Sequence, residues 1–138
     1  MKIQSRVSES FAKQTMMQTL GAELIAADDG IAVIEAPVLP TCQQQHGFGH
    51  AGLTFSIGDS AAGYAALSAM PEGYEVLTSE IKINLLAPAA GDRLIARGKV
   101  VKPGKRLVVV TSEVFARDGD QETLIALMQG TMVPMAPR

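Results

Sequence analysis

The chain has 138 residues, of which 47% are hydrophobic and 19% charged, with a net charge of -2 and one cysteine. That length makes one domain, over residues 1–138, and twelve basic against fourteen acidic residues give no cationic excess for nucleic-acid binding. Cys42 has no disulfide partner, which suits a reducing compartment, and the cytoplasm is expected. No run of about 18 apolar residues and no signal-peptide core within Met1 to Leu20 is present, so neither a membrane span nor a targeting segment is expected.

Ser5 to Leu20 reads as an amphipathic helix with Val7, Phe11 and Leu20 among its apolar positions and Gly21 as its C-cap. Strand signals at Ala22 to Ala27 and Gly30 to Val38 flank the turn signature Asp28-Asp29-Gly30. Thr41 to Gly52 is polar and glycine-rich and reads as an irregular loop. Leu53 to Met70 lacks strand alternation and is full of small residues, predicting a helix roughly 27 Å long that Pro71 terminates. A helix with so few bulky side chains is one that other backbone approaches closely.

Alternation then predicts a strand from Tyr74 to Leu86, with Leu77, Ser79, Ile81, Ile83 and Leu85 on one face and Thr78, Glu80, Lys82 and Asn84 on the other. Asp92 to Lys102 connects through Pro103-Gly104 to Arg106 to Arg117, and Asp118-Gly119 leads on to Glu122 to Val133. Turns this short make neighbouring strands antiparallel. The expected architecture is α+β, a meandering antiparallel sheet wrapped around one long central helix.

Asp59 is the residue that most invites a chemical reading. It lies in mid-helix among Phe55, Ile57, Ala61 and Ala62, and Gly63 one turn on leaves room beside the carboxylate. It is either an exposed or ion-paired acid or a carboxylate kept for function, because burying a charge is costly. His50, Ala51 and Gly52 stand at the helix start, where unpaired backbone N–H groups and the helix dipole favour an oxyanion. Nine residues of helix put His50 and Asp59 about 13 Å apart, too far to act on one carbonyl, so a shared site between two subunits is expected.

Other constellations are weaker. Cys42, His46 and His50 recur at a spacing of four, but Gly47 and Gly49 break a regular helix there and no metal site is expected. Ser56 and Ser60 lack a nucleophile elbow, and the glycines from His46 to Gly52 do not form a dinucleotide fingerprint. Lys102-Pro103-Gly104-Lys105-Arg106 is a basic hairpin tip, either solvated or suited to phosphates. Phe48, Leu53, Phe55, Tyr64 and several methionines are either core or the lining of an apolar pocket.

Gln44-Gln45-His46-Gly47-Phe48-Gly49-His50-Ala51-Gly52, then Asp59, then Glu80 to Ala89 and Val101 to Lys105, together resemble the hotdog-fold acyl-CoA thioesterases of the PaaI type over nearly the whole chain. The resemblance implies that Asp59 is nucleophile or general base and that the Ala51 N–H polarises the thioester carbonyl. It also implies that Gln44 places the water or the carbonyl, that His50 shapes the turn and that the Thr78 hydroxyl assists the water. Gly52, Phe55 and Gly63 are expected to border the substrate, and Lys102, Gly104, Lys105 and Arg106 to grip its coenzyme A. No separate cofactor is implied, since coenzyme A is part of the substrate, and a homodimer with shared sites is expected, pairing again as a homotetramer. The family's His-Gly-Gly is His-Ala-Gly here, which keeps the N–H but makes a positive φ more costly. A hotdog hydratase or dehydratase, using His46 or His50, and a non-catalytic acyl-CoA binder are the alternative readings.

Overall fold

The computed structural model describes residues 2–138. In chain order these form helices α1 (Ser5–Ala12) and α2 (Thr15–Thr19), strands β1 (Glu23–Asp28) and β2 (Ile31–Pro37), helix α3 (Ala51–Ser68), and strands β3 (Glu75–Leu85), β4 (Arg93–Lys102), β5 (Val108–Asp118) and β6 (Gln121–Met135). The strands make one antiparallel sheet in the order β1-β2-β4-β5-β6-β3, and α3 packs against all six. This is the wrapped helix that the sequence predicts.

Helix α3 is central because it has no solvent face over most of its length. From Ile57 to Ser68 every residue is buried except Asp59 and Ser60, and a helix apolar on nearly all sides is stable only inside a core. Its small side chains let the sheet come close. At Gly98 of β4, any Cβ would overlap the Ala61 carbonyl. The C-terminal carbonyls of α3 and the turn after it are covered by the N-terminal segment. Gln4 Nε2 donates to the Ser68 carbonyl at 2.9 Å, and Arg6 donates to the Met70 and Pro71 carbonyls at 2.6 and 2.8 Å, a favourable place for a cation.

Several expectations change. The single helix expected over Ser5 to Leu20 is two, because Gln14 leaves helical geometry with ψ 91° and sends its side chain to the Tyr64 hydroxyl. The long helix begins at Ala51 rather than Leu53, since His50 caps it. The meander covers only β4 to β6. Strand β3 pairs with β6 rather than with its sequence neighbour β4, because the chain after Leu85 crosses the mouth of the sheet, tied by Leu86 N–H to Ile125 and Gly49 N–H to Ala89. Strand β5 starts at Val108, which leaves Arg106 in the turn.

The most consequential change is a bulge in β3. Thr78 pairs with Met132 and Glu80 with Thr131, so Ser79 is extra, and an extra residue reverses which face the side chains on either side take. Of the residues expected on one face, Ile81 and Ile83 are half-buried, but Leu77, on the other side of the bulge, is 58% exposed, as is Leu85 at the strand end at 57%. Thr78, expected on the opposite face from Ile81, points inward to α3 instead, where it meets Asp59.

The close approach at Gly98 gives a stability test. Gly98→Val forces α3 away from β4 and is expected to lower unfolding stability by about 3 kcal/mol, read as a fall in the urea midpoint with an unchanged slope.

Candidate active site

The turn before α3 is tightly closed rather than irregular. The Gln44 N–H donates to the Phe48 carbonyl at 2.9 Å, and the Gln44 side-chain Oε1 accepts from the His46 and Phe48 N–H groups at 2.5 and 3.3 Å. The carbonyl end of this side chain is therefore spent on its own turn, and Nε2 is the part left for another molecule. The His50 N–H donates to the Cys42 carbonyl at 2.9 Å, which sets the imidazole over the first turn of α3.

That imidazole decides which N–H groups remain free. His50 Nδ1 accepts from the Gly52 N–H at 2.8 Å, so Nδ1 carries no proton and the proton sits on Nε2. Residue 52 is glycine because a Cβ there would lie 2.9 Å from His50 Nδ1. The Leu53 and Thr54 N–H groups both donate to the His50 carbonyl, at 2.9 and 3.3 Å. Among the described residues only the Ala51 N–H in the first turn has no acceptor. It borders a cleft of about 570 Å³ shared with Gln44 and the apolar side chains of Phe48, Leu85 and Ile125.

Asp59 lies in a different cleft. Its Oδ1 accepts from the Thr78 hydroxyl at 2.8 Å, and half-burial in α3 raises its pKa from 3.8, an effect the hydrogen bond only partly offsets. This second cleft, about 250 Å³, is bordered by Asp59, Gly63 and Tyr64 of α3, by Thr78 of β3 and by Ser10 and Gln14. Eight residues of unbroken helix separate Asp59 from Ala51, about 12 Å. One chain thus carries an oxyanion-type donor and a carboxylate that do not converge.

The remaining expected site residues divide. Gly63 opens onto the Asp59 cleft, and a Cβ there would meet nothing within 4 Å. Gly52 has its N–H engaged by His50. Phe55 is 38% exposed and borders neither cleft of this chain. Lys102, Gly104, Lys105 and Arg106 lie at the exposed β4–β5 tip. Among the described residues no three His, Cys, Asp or Glu side chains come together as a metal site.

Comparison with known proteins adds the family. Residues 46–123 match the model of the thioesterase superfamily. The acyl-coenzyme A thioesterase PaaI of Escherichia coli is 32% identical over 82% of this chain and 77% of its own. The chain belongs to the thioesterase superfamily and is of the PaaI type.

Solved structures agree on the hotdog fold. A thioesterase family protein from Silicibacter pomeroyi superposes with a TM-score of 0.92 at 43% identity, covering 95% of this chain and 96% of that one. The E. coli PaaI protein, from the phenylacetic acid degradation operon, gives 0.84 at 28% identity over 94% and 91%. The His-Ala-Gly departure costs this thioesterase no backbone strain. Ala51 is an ordinary first helical residue, and Asp29 is the only non-glycine with positive φ among the described residues.

Sequence reasoning missed the hydrogen-bonded group of Ser10, Gln14 and Tyr64 beside Asp59. Tyr64 was readable as core or pocket lining, but the only trace of its partner was the polar run Lys13-Gln14-Thr15 inside an apparent helix.

The raised pKa carries a stability cost with a definite sign. A carboxyl that binds its proton more tightly when folded lowers stability as pH rises from 3.8 through the raised value. Asp59→Asn keeps an acceptor for Thr78 and removes the desolvated charge. Its Tm is expected to exceed the wild type's at pH 7, with the difference shrinking as the pH falls towards 3.8; equal Tm values at pH 7 would contradict the cost.

Proposed function

We propose that this thioesterase hydrolyses an acyl- or aryl-coenzyme A to the free acid and coenzyme A, in sites shared between two copies of the chain. The observation that carries this reading is Asp59, a carboxylate partly withdrawn from water on a helix with no other charged residue and held by Thr78. Charge in such a place weakens the fold, a cost that is kept where a reaction uses the carboxylate.

In this reading Asp59 is the general base. It takes a proton from water while the water oxygen bonds to the thioester carbon, and the carbonyl becomes an oxyanion facing the Ala51 N–H of the partner copy. An oriented donor of this kind lowers the barrier by about 3 kcal/mol. The C–S bond then breaks, and the proton held by Asp59 goes to the departing thiolate. The raised proton affinity of Asp59 suits a base better than an unassisted nucleophile. Thr78 fixes Oδ1 and leaves Oδ2 for the water. Gln44, with Oε1 occupied, has only N–H to offer, so its part is to donate to the carbonyl oxygen rather than to accept from water.

Two features support sharing. The 12 Å between Ala51 and Asp59, about eight helical rises, exceeds any hydrogen-bonded arrangement around one carbon. Strand β3, eleven residues long with Thr78 on it, is a sheet edge, and an exposed edge of that length invites pairing with a second copy. Lys102, Lys105 and Arg106 form no ion pair among the described residues and are free for the phosphates of coenzyme A. A hydratase would pair a histidine with a carboxylate, but neither His46 nor His50 has such a partner among the described residues.

The test is thiol release from a panel of acyl-coenzyme A substrates. Asp59→Asn is expected to fold and to lose activity by about 100-fold or more. Turnover near the wild-type rate in a folded Asp59→Asn protein would overturn the assignment.

A further inference from the structure

One polar cluster at the Asp59 cleft takes no part in the hydrolysis described above. Tyr64 lies five residues beyond Asp59 on α3, about 7.5 Å further along the axis, and is only 4% exposed. Its ring packs against Phe11 with centroids 6.2 Å apart. Its hydroxyl accepts from Gln14 Nε2 at 2.6 Å and meets Ser10 Oγ at 3.1 Å. The break between α1 and α2 is what lets Gln14 reach it.

The space beside Asp59 runs towards this cluster. Gly63, between the two residues, contributes no side chain, and nothing lies within 4 Å of where its Cβ would be. Ser10 and Gln14 also border another cleft, of about 480 Å³, so the Gln14 side chain that holds the Tyr64 hydroxyl is part of the wall of both spaces. Charge decides which part of the substrate enters the first. Among the described residues Asp59 and Glu75 border it and no cation does, which repels phosphates and leaves the acyl portion as the part that fits.

We propose that Tyr64, pinned by Gln14 and Ser10, is a specificity-determining residue that limits the length of the acyl group accepted beside Asp59. The proposal rests on the hydrolytic reading. An acyl chain that reaches Tyr64 must displace a ring wedged against Phe11 and leave a buried hydroxyl without its partners, and a buried polar group stripped of its hydrogen bond is costly. Longer chains therefore bind poorly in the reacting position. Removing the Gln14 side chain joins the two clefts, whereas a methyl at residue 63 narrows the first.

The experiment measures kcat/KM for thiol release along the straight-chain series from acetyl- to lauroyl-coenzyme A, in wild type, Gln14→Ala and Gly63→Ala, each shown to be folded by circular dichroism. The ratio of long-chain to short-chain kcat/KM is expected to rise about tenfold in Gln14→Ala and to fall about tenfold in Gly63→Ala, the discrimination that one methylene can give. Ratios unchanged from wild type in both folded variants would overturn the length limit, and Gly63→Ala decides alone if Gln14→Ala does not fold. Absence of thiol release from every substrate in wild type would instead overturn the hydrolytic reading beneath it.

Discussion

The length of an unbroken helix governs the rest of this molecule. Among the described residues Ala51 opens α3 with the one N–H of its first turn that has no acceptor, and Asp59 follows eight residues later on the same rod. Regular helical rise fixes them about 12 Å apart. No side-chain rotation brings an N–H of the main chain and a carboxylate at that distance onto one carbonyl. The two halves therefore face separate clefts, one apolar around Gln44 and Ala51 and one polar around Asp59 and Thr78. A second copy related by a two-fold axis is the simplest way to bring unlike halves together, and it forms two equivalent sites at once.

The rod is tied at both ends and in the middle. His50 caps the start through Nδ1, and Arg6 and Gln4 cover the carbonyls at the end. In between, Gly98 lets β4 backbone rest directly on Ala61, and closely packed interiors of this kind do not deform smoothly. Asp59 is the one charged residue of this helix, and it is half-buried. Its desolvated charge weakens the fold at neutral pH, the cost expected of a group with the catalytic role proposed for it.

What was legible in the sequence was local. Asp28-Asp29-Gly30 announces its hairpin because positive φ at both Asp29 and Gly30 needs such residues. The run of alanine, serine and glycine from Leu53 onward announces a buried helix, and Asp59 stands out within it. The pairing of β3 with β6 was not legible, because strand partnership is set by contacts distant in sequence. The extra residue at Ser79 hides inside a continuous alternation, so Thr78 could be placed beside Asp59 only by resemblance to the family. Gln14 and Tyr64 are 50 residues apart, and nothing local links them. Resemblance supplied roles for Ala51 and Gln44. The geometry adds that Ala51 is the free donor and that Gln44 has only its N–H groups to give.

The most direct test of the account is subunit mixing. In the proposed site, Gln44→Ala damages the side that holds Ala51, and Asp59→Asn removes the proposed base on the other side. Unfolded together and refolded as an equal mixture, half of the dimers should contain one of each, and every such dimer has one doubly damaged site and one intact site. About a quarter of all sites should then release thiol from acyl-coenzyme A, although either variant refolded alone releases almost none. No recovery of thiol release, in a mixture that mass spectrometry shows to contain mixed dimers, would place Gln44 and Asp59 in one chain's site and contradict the shared architecture.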